Sequence, residues 1–274
     1  MPDDTPPRRD PLLHRDLAGQ VALVSGATRG IGARVAVALA ELGAVVYAGA
    51  RELSDLAGAE KELGGRIRPV QLDVTDEASV QAAVQQVITG RRPEPEAPKG
   101  AKAKPARPPP RSATTPGAGR LDILVNNAGV IDRKGARPIA FDAADFDRVL
   151  ATNLRGAALL SREALPHLLQ QPGGRIVNVA SAMGRLSVPM TGNSPAYRMS
   201  KAALNALTAM LHGEYASRGL LANSGSPGWC RTDLGGDHAP RSPEEGADGI
   251  VWLCRFRPGS PSGLFWEDGQ VVPW

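Results

Sequence analysis

Cysteine and long apolar runs are both scarce in this sequence of 274 residues. Its two cysteines, Cys230 and Cys254, form neither a disulfide framework nor a cluster of metal ligands, and we interpret them as free thiols of a reducing cytosol. The longest apolar stretch, residues 35–50, is interrupted by Glu41 and Gly43 and is too short to cross a bilayer. No apolar run follows the N-terminal basic residues, so no secretory signal is predicted. We therefore expect a cytoplasmic protein with no membrane partner.

Positive charge is concentrated in one segment. The formal net charge is +4, yet residues 91–119 hold seven basic and two acidic residues, so the rest of the chain is nearly neutral. This segment contains eight prolines and no Val, Ile, Leu, Phe, Tyr or Trp. It cannot bury enough apolar surface to offset the entropy of ordering, which predicts a disordered insertion. A tether for acidic partners is the alternative; because no aromatic residues interleave with the charges, we predict no nucleic-acid partner.

Elsewhere, short apolar runs alternate with helical patterns. Strand-like runs lie at residues 20–25, 44–48, 67–72, 121–125, 175–180 and 220–223. Helical spacing is found at residues 31–42, 76–88, 141–169 and 196–218. This alternation predicts an α/β protein with a doubly wound parallel sheet, the Rossmann fold. We expect a single domain over residues 17–274, preceded by a flexible extension over residues 1–16.

A glycine-rich turn joins the first predicted strand to the first predicted helix. Glycines at this point permit a tight turn, close approach of the backbone to a pyrophosphate, and close packing of helix on strand. The helix N-terminus adds free N–H groups and a partial positive charge. We predict that a dinucleotide binds here. The residues concerned are Ser25, Gly26, Thr28, Arg29, Gly30, Ile31 and Gly32.

Arg51 is the first charged residue after the second predicted strand. An acidic residue at this point would hydrogen-bond a ribose hydroxyl of NAD, whereas an arginine accommodates the extra phosphate of NADP. Arg29 in the glycine turn supplies a second guanidinium, a group that binds phosphate in a bidentate manner. The alternative is that Arg51 only opens a solvated helix and that Glu52 binds NAD. We predict NADP (NADPH) as the cofactor.

Tyr197 and Lys201 are four residues apart and would project from one face of a helix. Such pairs are common on exposed helices, so the spacing is weak evidence by itself. Moving a tyrosine pKa from about 10 to about 7 requires roughly 4 kcal/mol. One lysine cation at about 4 Å supplies roughly that much at an effective dielectric near 20. Tyr197 is therefore predicted to act as general acid or base on a carbonyl, with Ser181 as a hydrogen-bond donor to the substrate oxygen.

The order of these motifs resembles the short-chain dehydrogenase/reductase family. The shared motifs are the turn at residues 25–32, Asp73, residues 126–129, Asn153, Ser181, Tyr197 with Lys201, and Pro227 with Gly228. The similarity runs from about residue 16 to the end of the sequence, excluding residues 91–119. Residues 227–233 and 241–247 look most like the carbonyl-reductase branch. Ser25 stands where the family usually has threonine, and the hydroxyl is retained.

This resemblance implies the roles of further residues. The catalytic set would be Asn153, Ser181, Tyr197 and Lys201, with Lys201 also holding the ribose and Asn153 anchoring a water relay. The cofactor groove would also include Asp73, Val74, Asn127, Ala128, Gly129, Tyr197, Lys201, Pro227, Gly228 and Thr232. Asp73 would lie near the adenine and Thr232 at the nicotinamide amide. Simpler explanations stay open, with Asp73 as a turn cap, Ser181 as a strand-end hydroxyl and Asn153 as a solvated helix residue.

The predicted function is NADPH-dependent, reversible reduction of a ketone or aldehyde. The alternatives are an NAD-dependent secondary-alcohol dehydrogenase, an enone reductase, or a catalytically silent NADP-binding protein. Residues 182–196 should line the substrate pocket, and their apolar members, such as Leu186 and Val188, either face it or pack into the core. Relatives form dimers or tetramers, but the carbonyl-reductase branch includes monomers, so the sequence leaves a homo-oligomer and a monomer open.

Overall fold

A computed structural model describes residues 11–56, 65–90, 119–133, 136–138 and 140–274. The described strands form one sheet in the order β3-β2-β1-β4-β5-β6-β7-β8. Neighbouring strands from β3 to β7 are parallel, and β8 pairs antiparallel with β7. The strands are β1 (Val21–Val24), β2 (Val45–Ala50), β3 (Ile67–Gln71), β4 (Ile123–Asn126), β5 (Arg175–Val179), β6 (Leu221–Ser226), β7 (Leu264–Glu267) and β8 (Gln270–Val272).

Helices cover both faces of this sheet. They are α1 (Gly30–Glu41), α2 (Glu77–Thr89), α3 (Ala143–Leu150), α4 (Ala157–Leu168), α5 (Pro195–Tyr215) and α6 (Pro243–Cys254). Alternate residues of β1 belong to different core clusters: Ala22 and Val24 pack with α1 and α6, whereas Val21 and Leu23 pack with α2 and α4. A strand buried on both faces requires continuous apolar character, which explains the unbroken apolar runs in the sequence. The predicted doubly wound α/β fold is confirmed.

The long helical pattern at residues 141–169 contains an interruption. Between α3 and α4 the backbone adopts a π-helical turn, Ala151–Gly156, which contains Asn153. Such turns are uncommon and frequently mark functional sites. A prediction from helical spacing alone treats the region as one helix, because a single wide turn shifts the apolar stripe only slightly.

The last third of the chain contains elements that the sequence patterns did not predict. Helix α6 begins with a capping box in which Ser242 accepts the Glu245 N–H and the Glu245 carboxylate accepts the Ser242 N–H. Strands β7 and β8 extend the sheet beyond β6. Strand β6 itself reaches Ser226, past its predicted end, because its polar residues are buried with partners, as in the 2.8 Å hydrogen bond between Ser224 and Thr208.

The predicted insertion at residues 91–119 lies outside the described residues, apart from Gly119. Residues 1–10 of the predicted extension lie outside them as well. Residues 11–16 run beside the segment that follows α6: the Leu12 carbonyl accepts the Arg257 N–H at 2.8 Å, and the His14 N–H donates to the Arg255 carbonyl at 2.7 Å. Among the described helices, none has both the length and the apolar character needed to span a bilayer.

Candidate active site

The predicted site residues follow the carboxyl ends of the parallel strands, which meet at one edge of the sheet. Ser25, directly after β1, joins two of the turns there and is 1% exposed. Its hydroxyl accepts the backbone N–H groups of Asn127 and Ala128, each at 3.0 Å. The Asn127 side-chain amide returns two hydrogen bonds to the carbonyls of Ser25 and Gly26, both at 3.0 Å. The turns after β1 and β4 therefore form one hydrogen-bonded unit.

The glycine turn has the shape of a phosphate cradle. Gly26 has a φ of +63°, and a Cβ there would lie 2.9 Å from the Ala128 Cα. A Cβ on Gly32 would collide with the Asn127 side chain and the Gly26 carbonyl. Helix α1 begins at Gly30, within this turn, and its N-cap residue, Arg29, provides no side-chain cap. The first N–H groups of α1 are thus available to an anion. These features fit the pyrophosphate of a dinucleotide.

Two arginines lie near this turn. Arg29 is highly exposed, and its Nε lies 3.0 Å from a carboxylate oxygen of the equally exposed Asp233. Arg51 follows the end of β2 directly and is also exposed. Glu52, the residue of the NAD alternative, is exposed beside it. An exposed ion pair stabilises by at most about 1 kcal/mol, so the pair with Asp233 leaves Arg29 able to bind a phosphate instead.

Asp73 and Val74 follow the end of β3. The Asp73 Oδ1 accepts the Thr75 N–H at 2.9 Å and the Thr75 hydroxyl at 2.7 Å, so this carboxylate caps the turn leading to α2. Val74 is buried, and a Cβ on Gly156 of the π-helical turn would lie 2.8 Å from its side chain. The turn-capping explanation for Asp73 therefore holds, and its predicted place near the adenine stays a prediction.

Tyr197 and Lys201 lie in the first two turns of α5 and are both buried, 7% and 4% exposed. The Lys201 Nζ lies 5.5 Å from the centroid of the Tyr197 ring. It donates a hydrogen bond of 2.6 Å to the carbonyl of Val179, the last residue of β5. A Cβ on Gly129 would lie 3.7 Å from this Nζ. The helix α5, the end of β5 and the turn after β4 thus converge on one ammonium group.

Ser181 follows β5, opposite the tyrosine. Its hydroxyl accepts the Met183 N–H at 3.1 Å and also hydrogen-bonds with Tyr197. The short helical turn Ala182–Gly184 packs on α5 so closely that a Cβ on Gly184 would lie 2.7 Å from the Lys201 carbonyl carbon. The predicted residues Ser181, Tyr197 and Lys201 are therefore brought together.

The electrostatics of the pair differ from the sequence prediction. Burial raises the pKa of Tyr197 above its ordinary value, and the hydrogen bond with Ser181 opposes this rise. Burial also lowers the pKa of Lys201 to about 8. The direction is thus opposite to the one expected from Lys201, because desolvation of the phenol outweighs the hydrogen bond with Ser181.

Asn153 is 1% exposed and braces the turn after β4. Its Oδ1 accepts the Val130 N–H and its Nδ2 donates to the Val130 carbonyl, both at 2.8 Å. Nδ2 also donates to the Ser200 hydroxyl of α5 at 3.0 Å. The explanation as a solvated helix residue is therefore wrong. The water relay implied by the resemblance stays a prediction.

Pro227 and Gly228 follow β6 in a loop that Arg241 clamps. The Arg241 guanidinium donates to both carboxylate oxygens of Asp268 at 2.8 and 2.6 Å, and to the Pro227 carbonyl at 3.3 Å. Gly228 has a φ of +74°, and a Cβ there would collide with this guanidinium. The sequence analysis did not predict the ion pair between Arg241 and Asp268, because 27 positions separate the two residues and no sequence motif contains both.

Thr232 lies farther along the same loop and packs over the glycine turn. A Cβ on Gly30 would lie 3.1 Å from the Thr232 methyl carbon, and the Thr232 hydroxyl accepts the Gly235 N–H at 3.2 Å. The loops after β1 and β6 therefore meet above the α1 N-terminus. The predicted contact of Thr232 with a nicotinamide amide is untested.

Some side chains of the loop at residues 182–196 lie in the core, and others lie on the surface. Met183 packs in a small cluster with Tyr197 and Val149. Leu186 and Val188 are 71% and 42% exposed. On the loop after β6, Trp229 is likewise 57% exposed. Exposed apolar side chains therefore lie on the loops after β5 and β6, at the same edge of the sheet as the tyrosine.

The fold is that of the short-chain dehydrogenases. A family model described as short chain dehydrogenase matches residues 20–92 and 112–242. The chain belongs to this family of oxidoreductases, which act on CH–OH and C=O groups with a nicotinamide cofactor.

Individual relatives cover nearly all of the chain. It is 32% identical to the short chain dehydrogenase pigC of Monascus ruber, over 92% of this chain and 78% of that protein. It is 31% identical to an NADPH-dependent aldehyde reductase-like chloroplastic protein of Arabidopsis thaliana, over 94% and 93%. Among solved structures, a gluconate 5-dehydrogenase from Burkholderia cenocepacia, in complex with NADP and tartrate, superimposes with a TM-score of 0.72 at 26% identity, covering 92% of this chain and 94% of that one.

Proposed function

We propose that this protein is an NADPH-dependent reductase of ketones or aldehydes, of the carbonyl-reductase type, which also runs in reverse as an alcohol dehydrogenase. The observation that carries this proposal is the convergence of Tyr197, Ser181 and Lys201 at the edge of the sheet that holds the glycine cradle. A phenol, a hydroxyl and a buried ammonium beside a dinucleotide cradle can hold a carbonyl oxygen and deliver a proton to it.

The chain's own residues suit the reductive direction. A buried phenol with a raised pKa stays protonated near neutral pH and can donate its proton to an oxygen that gains negative charge. The Ser181 hydroxyl can donate to the same oxygen. Lys201, held by the Val179 carbonyl, stabilises negative charge left on the phenol. The nicotinamide cofactor supplies the hydride when it is bound.

Residues of the cradle would hold that cofactor. The free N–H groups at the start of α1 and the backbone of Gly26 and Gly32 would receive the pyrophosphate. Exposed Arg29 and Arg51 would bind the phosphate that distinguishes NADP. Two relatives support this choice: an aldehyde reductase-like protein named as NADPH-dependent, and a dehydrogenase in complex with NADP.

The exposed Leu186, Val188 and Trp229 favour a substrate with an apolar body. The Trp229 indole is fixed by a 2.8 Å hydrogen bond from its Nε1 to the Gly235 carbonyl, so its ring presents a defined apolar surface. Large apolar groups left exposed beside a site commonly contact a ligand. We therefore expect aliphatic or aromatic ketones and aldehydes to be better substrates than small polar carbonyl compounds.

Replacing Tyr197 with phenylalanine tests the mechanism. The Tyr197→Phe variant should lower kcat for a panel of carbonyl compounds by about 10²- to 10⁴-fold, because it removes the proton donor. NADPH affinity, followed by the quenching or enhancement of its fluorescence, should change by less than about twofold. Tyr215→Phe is the matched control, since Tyr215 lies at the end of the same helix, far from Ser181. Retained turnover in Tyr197→Phe contradicts the mechanism.

Replacing Arg51 with alanine tests the cofactor assignment. The wild type should bind NADPH more tightly than NADH, and Arg51→Ala should weaken NADPH binding by about tenfold with little change for NADH, since a charge-assisted bond contributes about 1.5–3 kcal/mol. Arg34→Ala is the control: Arg34 is an exposed arginine of α1 that pairs with Glu244 at 2.7 Å. Tighter binding of NADH than of NADPH by the wild type would overturn the assignment.

A further inference from the structure

The helix that carries Tyr197 has an unusual N-terminus. Its N-cap residue, Ser194, has a φ of +62° and provides no side-chain cap, and Pro195 occupies the first helical position. The N–H groups of the next two residues are taken instead by a distant carboxylate. Asp132 Oδ1 accepts the Ala196 N–H at 3.0 Å, and Oδ2 accepts the Tyr197 N–H at 2.8 Å. These are the two positions that an N-cap side chain ordinarily serves.

Asp132 is buried, at 7% exposure, and both of its oxygens are used in this way. Hydrogen bonds from N–H groups to a carboxylate are about twice as strong as neutral ones, and negative charge is favourable at a helix N-terminus. A buried carboxylate without such partners would be unfavourable. The Asp132 carboxylate therefore caps the first turn of α5, and the two N–H groups of that turn stabilise its buried negative charge.

The residues on either side of Asp132 are fixed independently. Val130 forms two hydrogen bonds with the Asn153 side chain. The Ile131 carbonyl accepts from the Arg148 guanidinium at 2.8 Å, and the Arg133 N–H donates to the Asp145 carboxylate at 2.7 Å. The segment around Asp132 is thus anchored to α3 and to the π-helical turn, so the carboxylate is a fixed point and not a mobile side chain.

A second connection runs parallel to this one. Asn153 donates to the Ser200 hydroxyl, and that hydroxyl donates to the Tyr197 carbonyl at 2.7 Å. The backbone of Tyr197 is consequently held at its N–H by Asp132 and at its carbonyl by Ser200. Both connections lead back to the turn after β4, which also contains Gly129 beside the Lys201 ammonium.

We propose that Asp132 is a positioning residue for the reaction: it holds the N–H of Tyr197 and thereby sets where the phenol lies relative to Ser181 and the bound substrate. This inference rests on the proposed function, since it assumes that Tyr197 transfers the proton. Proton transfer needs the reacting atoms within hydrogen-bond reach, and a displacement of about 1 Å can lower the rate by about 10²-fold.

The test compares Asp132→Asn and Asp132→Ala in the full-length protein. In Asp132→Ala, kcat for carbonyl reduction should fall by roughly ten- to a hundredfold, while KM and the Kd of NADPH change by less than about twofold. The kcat of Asp132→Asn should fall less, because its amide oxygen can still accept one N–H. The primary isotope effect with NADPH deuterated at the transferred position should increase in both variants. Asp76→Asn, which alters the carboxylate that caps α2 by accepting the Ala78 N–H at 3.0 Å, is the control and should leave kcat and the isotope effect unchanged.

Amide hydrogen exchange of the free variants supplies a readout that needs no turnover. Exchange at residues 196–201 should be faster in Asp132→Ala and unchanged in Asp76→Asn. Unchanged exchange at residues 196–201 would overturn the inference. A fall in kcat that matches the loss of folded protein measured by circular dichroism would also overturn it, because that combination indicates a smaller folded fraction and not a displaced tyrosine. The two claims can fail separately. Absence of carbonyl reduction by the wild type would refute the proposed function. An exchange pattern in Asp132→Ala that equals that of the wild type would refute the anchoring role of Asp132.

Discussion

The Ser25 hydroxyl offers the sharpest test of how the cofactor cradle is built. In Ser25→Ala, the Ala128 N–H loses the only acceptor that the described hydrogen bonds give it. The Asn127 N–H keeps a second acceptor, the Val125 carbonyl at 3.1 Å, which also continues to accept the Ser25 N–H. The change thus removes the 3.3 Å hydrogen bond that the Ser25 hydroxyl donates to the Val125 carbonyl, and it leaves the Ala128 N–H without an acceptor. Because the Ala128 N–H is only partly buried, the lower part of the range of about 1–3 kcal/mol for an unsatisfied group applies; with about 1 kcal/mol for the lost bond, the free energy of unfolding should fall by about 2–3 kcal/mol.

Urea-induced unfolding, measured without added nucleotide, checks this value, because a bound ligand would add its own stabilisation. The Kd of NADPH, measured separately, should rise as well, since the turns after β1 and β4 lose part of their connection. Ser25→Thr retains the hydroxyl and should stay within about 1 kcal/mol of the wild type. A change of less than about 0.5 kcal/mol in Ser25→Ala, with unaltered NADPH affinity, would refute the reasoning.

Two further predictions concern the glycine turn and the buried lysine. Gly32→Ala should abolish detectable NADPH binding, because its Cβ would collide with a backbone carbonyl. The control is Gly213→Ala, at a helical position of α5 with open space around it, which should bind NADPH normally and gain up to about 1 kcal/mol of stability. Normal NADPH binding by Gly32→Ala would be inconsistent with the cradle. Lys201 has a pKa of about 8 in the folded protein and an ordinary pKa near 10.5 when unfolded, so between these values the unfolded chain binds more protons and stability rises with pH. Relative to Lys201→Met, the wild type should gain about 2–3 kcal/mol in unfolding free energy from pH 8 to pH 10; parallel pH curves for the two proteins would contradict this burial effect.

Much of the fold could be predicted because its signals are local. Continuous apolar runs followed by glycine or asparagine mark buried parallel strands, and the bounds of β1 and β5 agree with the predicted ones within one residue. Helix α6 and strands β7 and β8 were not predicted, since they are short and follow a loop rich in polar residues and glycine. The π-helical turn was hidden inside a continuous helical pattern.

The candidate site was predicted residue by residue, but the interactions among those residues were not. Asn153 was expected to anchor a water relay, which stays a prediction, but its hydrogen bonds with Val130 and Ser200 were not foreseen. Lys201 was expected to lower the tyrosine pKa, yet its ammonium donates to the Val179 carbonyl. Hydrogen-bond partners of this kind depend on distances of a few tenths of an ångström, which no residue spacing specifies.

By itself, the sequence determined the alternation of strands and helices, the glycine turn and the pairing of Tyr197 with Lys201. These features depend on periodicity, backbone freedom and contacts within one or two helical turns. Since the carboxyl ends of parallel strands share one edge of a sheet, the sequence also determined which residues would gather there. Only the tertiary structure decided that Asp132, 65 positions before Tyr197, would hold its N–H, and that Arg241 would bind Asp268. Such contacts depend on the paths of loops whose ends are far apart in the chain, and packing alone sets those paths.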